Sequence, residues 1–383
     1  MSLQRRAYLI VLALGFLKPA LGDEPAARGD EPATFAAIDL STPLAPATLA
    51  ERLADKRVVF VGETHTRYAD HLNQLEIIEQ IYERDPNIAI GVEYLQERFQ
   101  PQVDAYIAGQ TGEQDFLRDA EYYRGWGYDY RLYAPIFRYA HEHRIPVRAL
   151  NVPSSLPPAV AKVGLDGLSE EQRAELPGEI EPAGAAYEQR LREAFDAHPG
   201  AGPGAFEHFV QAQLVWDEGM AESAAAYLDA NPDRRMIILA GSGHIAYGSG
   251  IPKRLQRRTD ATYAIVLNRD DEIEPQIADY VLLGDDQTLP PAAVLGISLD
   301  QEDGSCRIGS LSPGGAAQKS GLRKGDVIVA IDGQACETIA DLRLATWDKA
   351  PGEHVRVEVR RKRRFKTVEH DFELELATAH GSR

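Results

Sequence analysis

Short runs of consecutive apolar residues recur along the chain, and helical patterns separate them. The first run covers residues 57–61, and Leu72, Leu75 and Ile78 then follow at helical spacing. A continuous apolar run predicts a strand buried on both faces, and the spacing after it predicts an amphipathic helix. Further strands are predicted over residues 88–92, 146–150, 236–240, 263–267 and 280–283.

Residues 35–290 therefore predict an α/β domain of three layers, α/β/α, with a mostly parallel sheet. The long stretch between the third and fourth strands has helical signatures and no clear strand, most plainly over residues 207–228. We expect a helical subdomain there.

The pattern changes after Pro290 and Pro291. Residues 293–376 contain short strands and glycine-rich connections, which predict a separate, small β-rich domain.

The chain begins with the features of an export signal. Arg5 and Arg6 precede the apolar run of residues 7–17, and small residues lie before Asp23. Such a run is too short to span a bilayer, so we expect residues 1–22 to be a cleaved signal peptide rather than a buried N-terminal helix. No cysteine follows it for lipid attachment, and no later stretch has membrane-spanning length. The expected location is periplasmic or secreted. Residues 23–34 are a repeat poor in bulky apolar side chains, which predicts a flexible linker.

Composition narrows the classes of partner. The 383 residues include 41 Lys and Arg against 59 Asp and Glu, a formal net charge of −18. This length suggests two or three domains, and the acidity argues against nucleic acid or an anionic membrane as the main partner. Residues 293–376 are nearly balanced in charge, so the acidic excess lies on the α/β part. Cys306 and Cys336 could form a disulfide or be two small core residues.

Polar side chains follow several of the predicted strands where each one ends. In parallel sheets these ends meet at one edge, where ligands bind. Two histidines and two carboxylates there suit a divalent transition metal, or an acid–base set for hydrolysis. Each residue alone has an ordinary explanation as a helix cap or a backbone hydrogen-bond partner. The residues are Glu63, His65, Glu93, Asn151 and His244, with His71 in the next helix.

Residues 122–133 are rich in aromatic side chains. Such a stretch could line a pocket for a large flat ligand, and a tyrosine oxygen such as that of Tyr128 or Tyr130 could ligate ferric iron. The alternative is an aromatic core beneath a helix.

The α/β motifs resemble the ChaN family of haem-binding proteins, part of a superfamily with the Tiki proteases and erythromycin esterases. The resemblance spans about residues 40–285 and implies haem binding in a three-layer domain. In hydrolytic relatives, the matching Glu63, His65 and His244 would serve a metal or acid–base site. Haem ligation in the family looks to be through tyrosine, for which Tyr94 and Tyr247 are the nearest candidates here. The matching residues are 62–65, His71, Gln74, 91–93, 151–153, 241–244 and 250–252.

The C-terminal segment resembles a PDZ domain of the type that accompanies bacterial proteases. The resemblance implies that Leu295, Gly296, Ile297 and Ser298 receive the carboxylate of a peptide and add it as a strand. A helix over about residues 339–347 would close the groove. Protein C-termini or extended peptides are the expected partners.

Together these features predict an exported protein with a haem- or iron-binding ChaN-like domain and a peptide-binding PDZ domain. One alternative is a metal-dependent peptidase or esterase in which Glu63, His65, Glu93 and His244 are the catalytic residues and metal ligands. A third is an adaptor with a degenerate α/β site.

Overall fold

The computed structural model describes residues 42–196, 204–268, 273–300, 305–364 and 366–378. The predicted signal peptide (1–22) and linker (23–34) lie outside these residues and stay predictions. Within the described ranges, none of the helices combines the length and the apolar character that crossing a bilayer requires.

Strands and helices alternate over the N-terminal two thirds of the chain. The elements are α1 (Pro46–Arg52), β1 (Val58–Glu63), α2 (Tyr68–Arg84), β2 (Ile88–Gln96), α3 (Gln100–Ile107), α4 (Glu113–Asp119), α5 (Tyr122–Gly125), α6 (Ala134–His143), β3 (Val147–Asn151), α7 (Leu156–Val163), α8 (Glu170–Ala174), α9 (Ala185–Asp196), α10 (Ala205–Ala230), β4 (Arg235–Gly241), α11 (Ser242–Ile245), α12 (Ile251–Arg258), β5 (Tyr263–Asn268) and β6 (Tyr280–Leu282).

The C-terminal part is built from shorter elements. They are β7 (Ala293–Val294), β8 (Ile297–Leu299), β9 (Ile308–Leu311), α13 (Ala316–Ser320), β10 (Val327–Ile331), β11 (Gln334–Ala335), α14 (Ile339–Thr346), β12 (His354–Arg363), β13 (Lys366–Glu375) and β14 (Ala377–Thr378).

The six predicted strands of the α/β part form one parallel sheet in the order β3-β2-β4-β1-β5-β6. Every residue of β1 and β2 is buried, which requires cover on both faces and agrees with the predicted three layers. Strand β2 continues to Gln96, beyond the predicted end at Val92. Glu93 therefore lies within a strand and not after it.

A helical subdomain separates β3 from β4, as predicted. Long helix α10 packs against α7, α12 and strand β3. Leu156, Val160 and Val215 are fully buried in one apolar cluster of this subdomain. Helix α10 thereby places some of its side chains against the parallel sheet.

The described residues group into two compact units. The first contains those up to Ala108 together with Ile136–Gln287, and the second contains Gly109–Pro135 and those from Thr288 onward. The second unit holds an antiparallel sheet in the order β11-β10-β12-β13 and the strand pairs β8-β9 and β7-β14. The segment 109–135 interrupts the first unit in sequence but groups with the C-terminal residues by its contacts.

Both cysteines lie in the core of the second unit. Cys306 and Cys336 are buried and free, within one apolar cluster. The structure therefore supports the interpretation that Cys306 and Cys336 are two small core residues and not a disulfide.

We expect the Phe60→Ala variant to lower the free energy of unfolding by about 3–5 kcal/mol, because Phe60 is fully buried in β1 and its loss leaves a cavity. Urea denaturation would measure the change. The exposed Leu283 provides the control, since Leu283→Ala should change stability by less than about 0.5 kcal/mol. Equal losses in the two variants would contradict the placement of β1 at the centre of the sheet.

Candidate functional site

The site forms where three neighbouring strands end. Strand β4 lies between β2 and β1, and the register pairs Glu63, the last residue of β1, with Gly241, the last residue of β4. Glu93 comes from β2 on the other side of β4. The sheet order thus brings Glu63 and Glu93 to one edge from separate strands, as the pattern of strand ends predicts.

Glu63 and His65 form a buried pair. His65 Nδ1 donates to Glu63 Oε1, and the two residues are 4% and 2% exposed respectively. Burial opposes ionisation of both side chains, but each favours the charged form of the other. The pKa of Glu63 is therefore held below its ordinary value by His65, and the pKa of His65 is raised by Glu63 and Glu93.

Glu93 connects the strand ends around it. Its Oε2 accepts the backbone N–H of Gly241 at 2.7 Å, and its Oε1 lies 3.6 Å from His244 Nε2. Asn151, at the end of β3, donates from Nδ2 to the backbone oxygen of Glu93 at 2.8 Å. Four strands thus contribute to the arrangement.

The close approach at Gly241 depends on the absence of a side chain. A Cβ at this position would lie 2.9 Å from His65 Cε1. Only glycine leaves room for the imidazole ring beside the end of β4.

Asp217, which is not among the residues predicted from the strand ends, holds His244. His244 Nδ1 donates to Asp217 Oδ1 at 2.7 Å, and the Tyr187 hydroxyl donates to Oδ2 at 2.6 Å. Burial opposes the charged form of His244, but Glu93 and Asp217 favour that form and raise the pKa of His244 to about 9. Asp217 is fully buried in α10, and its one signal in the sequence is an acidic pair, Asp217 and Glu218, inside an otherwise apolar stretch.

The donor atoms of Glu63, His65 and Glu93 suit a metal ion. One ligand atom from each lies within 4.8 Å of the other two, and Glu63 Oε2 is buried without a hydrogen-bond partner. Carboxylate oxygen and imidazole nitrogen are ligands of divalent transition metals. His244 lies beside this group, against Glu93. His71 donates from Nε2 to the backbone oxygen of His65 at 3.3 Å, and burial lowers its pKa.

The four tyrosines proposed as iron ligands lie in different places. Tyr94 lies next to Glu93 but is only 3% exposed, and burial raises its pKa well above the ordinary value. Tyr247, in a 3-10 turn after α11, is half-buried. Tyr128 and Tyr130 belong to the second unit, whereas the strand-end cluster belongs to the first.

Comparison with protein-family models gives two matches. The model described as haem-binding uptake, Tiki superfamily, ChaN, matches residues 49–255, more than half of the chain. The chain belongs to this ChaN family. A PDZ domain model matches residues 293–371. Among proteins with curated descriptions, none matches this chain.

A solved ChaN structure supports the ChaN-like fold. ChaN of Campylobacter jejuni, described as binding heme cofacially, is 17% identical, and the match covers 61% of this chain and 89% of that one with a TM-score of 0.50. An erythromycin esterase in its open conformation is 16% identical over 58% of this chain and 72% of its own, with a TM-score of 0.37. A serine endoprotease from Yersinia pestis is 15% identical over 24% of this chain and 31% of its own, with a TM-score of 0.20.

The four residues predicted to receive a peptide carboxylate lie just before and within β8 of the PDZ domain. Leu295 is buried, and Gly296 has a φ of 75°, a conformation that favours glycine. Ile297 and Ser298 continue into β8, which among the described residues pairs with β9 alone. One edge of β8 is thus open to an added strand. Helix α14, capped by Thr338 and Asp341, is formed by the residues predicted to close the groove.

We expect Asp217→Asn to bring the pKa of His244 down from about 9 toward the ordinary value of histidine, because the variant removes one of the negative charges that favour the imidazolium. An NMR titration of the His244 ring protons in metal-free ChaN-like protein measures this. Asp229→Asn, an exposed change in the same helix, is the control. An unchanged His244 pKa in Asp217→Asn would show that Asp217 has no such effect.

Proposed function

We propose that the ChaN-like domain binds haem and that Tyr247 provides the ligand to its iron. Tyr247 would hold the iron of ferric haem through its phenol oxygen, a type of ligand that haem proteins use. Membership of a haem-binding family supports the first part of this proposal. The geometry of Tyr247 supports the second.

The observation that carries the proposal is the backbone conformation of Tyr247. Its φ is 59°, in the left-handed region that bulky residues rarely adopt. Such conformations cost about 1–3 kcal/mol and concentrate at ligand sites. A half-buried phenol held at this cost, one turn beyond His244, suits a side chain that must reach a ligand at the surface.

The neighbours of Tyr247 suit an iron-bound phenolate. The hydroxyl donates to the Glu274 carboxylate, which holds the phenol oxygen in place. The Arg190 guanidinium lies 4.2 Å from the ring centroid and adds positive charge beside the phenolate. Without a bound cation, burial and Glu274 raise the pKa of Tyr247 to about 12, so the free side chain stays protonated at neutral pH.

The other predicted ligands fit haem less well. Tyr94 and His71 are 3% and 1% exposed, so a macrocycle could reach them only if the core opened. Tyr130 is fully buried, and its hydroxyl donates to Glu113. The Tyr128 ring is half-buried and packs against Trp126 at 5.4 Å.

We further propose that the protein is exported and that its PDZ domain binds peptides by their C-termini or as an added strand. The export signal in residues 1–22 supports the first statement. The open edge of β8 after the Gly296 turn supports the second.

The haem proposal predicts that Tyr247→Phe weakens haemin binding by more than about 100-fold, beyond the usual cost of losing an outer partner of a metal site. Haemin titration followed by the Soret band measures the affinity, and the electron paramagnetic resonance spectrum of the ferric complex reports the ligand. Tyr94→Phe is the matched control and should bind like the unchanged protein. Loss of binding in Tyr94→Phe, or normal binding and an unchanged spectrum in Tyr247→Phe, would refute the assignment.

The buried Glu63 Oε2 without a hydrogen-bond partner favours a second candidate function, a metal-dependent hydrolase. Glu63, His65 and Glu93 would hold a divalent transition metal, which when bound supplies an activated water. His244, held by Asp217, would carry a proton beside Glu93. This site and Tyr247 use different residues.

If the cluster holds a metal, the purified protein should contain about one metal ion per chain, as structural and catalytic sites of this ligand type do. We expect Glu63→Gln and His65→Ala to lose the ion, measured by inductively coupled plasma mass spectrometry. The exposed Glu51→Gln is the control. If the purified protein contains no metal and binds neither zinc nor manganese in titration, the hydrolase candidate fails while the haem proposal stands.

A further inference from the structure

The aromatic segment of residues 122–133 is not used by the haem or metal proposals. It lies within Gly109–Pro135, which the chain inserts between α3 and α6. Inside the second unit, helices α4 and α5 of this segment contact α14, the helix beside the predicted peptide groove.

Gln114, in α4, makes three hydrogen bonds to the region around α14. Its Nε2 donates to Gln334 Oε1 at 2.9 Å and to the backbone oxygen of Leu344 at 3.0 Å. Its Oε1 accepts the indole N–H of Trp347 at 2.9 Å. The amide nitrogen and oxygen of Gln114 thus both form hydrogen bonds, to the last turn of α14 and to strand β11 before it.

Aromatic packing and backbone contacts add to this attachment. The ring of Tyr130, which is fully buried, meets Trp347 edge-on with centroids 5.0 Å apart. Arg343 of α14 donates to the backbone oxygen of Gly127 at 2.8 Å. These contacts come from several points of the segment, so they fix the position of α14 as well as its orientation.

The same helix contributes to the groove. Leu342 of α14 packs with Ile297 of β8 and Leu311 of β9 against the core of the PDZ domain. A peptide added at the edge of β8 would lie between this strand and α14. The distance between the helix and the strand therefore decides whether the peptide fits.

We propose that Gly109–Pro135 is a brace for the PDZ groove, which holds α14 at the separation from β8 that a C-terminal or extended peptide requires. The proposal rests on the proposed peptide binding at β8. A helix that is already in place lowers the entropic cost of binding, so the brace raises peptide affinity without contacting the peptide. By the same linkage, a bound peptide stabilises the brace. Gln114 and Tyr130 are then positioning residues for a site formed by other side chains.

The test uses the full chain with Gln114→Ala and Tyr130→Ala. Tyr130→Phe is a matched control because it keeps the ring against Trp347 and removes the hydroxyl that bonds to Glu113. Gln189→Ala, an exposed glutamine in α9, controls for loss of the amide. Amide hydrogen exchange of α14 is measured without peptide. Affinity is measured with a fluorescent peptide of about eight residues ending in leucine, and with its C-terminally amidated form.

We expect faster exchange in α14 and about tenfold weaker binding of the free-carboxylate peptide in Gln114→Ala and Tyr130→Ala. Exchange in β1 should stay unchanged in both, which shows that the first unit remains folded. Both controls should remain within about twofold of the unchanged protein. Unchanged exchange in α14, or unchanged peptide affinity despite a loosened helix, would overturn the brace.

The outcomes also separate this inference from the proposed peptide binding. If the wild-type protein binds neither peptide, the proposed binding of C-termini fails. The brace then has no such ligand, so the proposed brace also fails, even if α14 loosens in the variants. If the unchanged protein binds the peptide and the variants bind it equally well, peptide binding stands and the brace alone is refuted.

Discussion

The hydrogen bond from the Gly241 backbone to Glu93 Oε2 is the interaction on which the strand-end site depends. It ties the side chain of β2 to the end of β4 at the one position where a glycine leaves room for His65. Because β4 lies between β2 and β1, this bond also sets where Glu93 stands relative to Glu63. Two carboxylates this deeply buried would repel each other. The imidazoles of His65 and His244 offset that repulsion, and each is held by a carboxylate of its own.

This charge arrangement separates two kinds of chemistry within the ChaN-like domain. The buried carboxylates and imidazoles suit a small cation or a proton, because a large flat ligand has no access to side chains that are almost fully buried. Tyr247 is half-buried, strained in its backbone and placed between Glu274 and Arg190. A single helical turn, α11, leads from one site to the other. The proposed haem ligand is thus near the buried cluster in sequence but differs from it in exposure.

Much of the fold could be predicted from the sequence because buried parallel strands are continuous apolar runs. All six such runs are strands, and Glu63, His65, Glu93 and His244 meet because parallel strands end at one edge. Asp217 could not be predicted in the same way, since it reaches His244 from the middle of helix α10 and not from a strand end. The contacts of the aromatic segment could not be predicted from the sequence either. Tyr130 is a buried core residue, but it packs on Trp347, more than two hundred positions later, and no local pattern reports such a contact.

We propose that haem iron binds at Tyr247 and not within the buried cluster. A crystal structure of the full chain with haemin, with anomalous diffraction collected at the iron absorption edge, tests this most directly. We expect a single iron peak within bonding distance of the Tyr247 hydroxyl oxygen, with the Glu63, His65 and Glu93 side chains undisturbed. An iron peak bound instead to Tyr94, to Tyr128 or to a histidine of the buried cluster would contradict it.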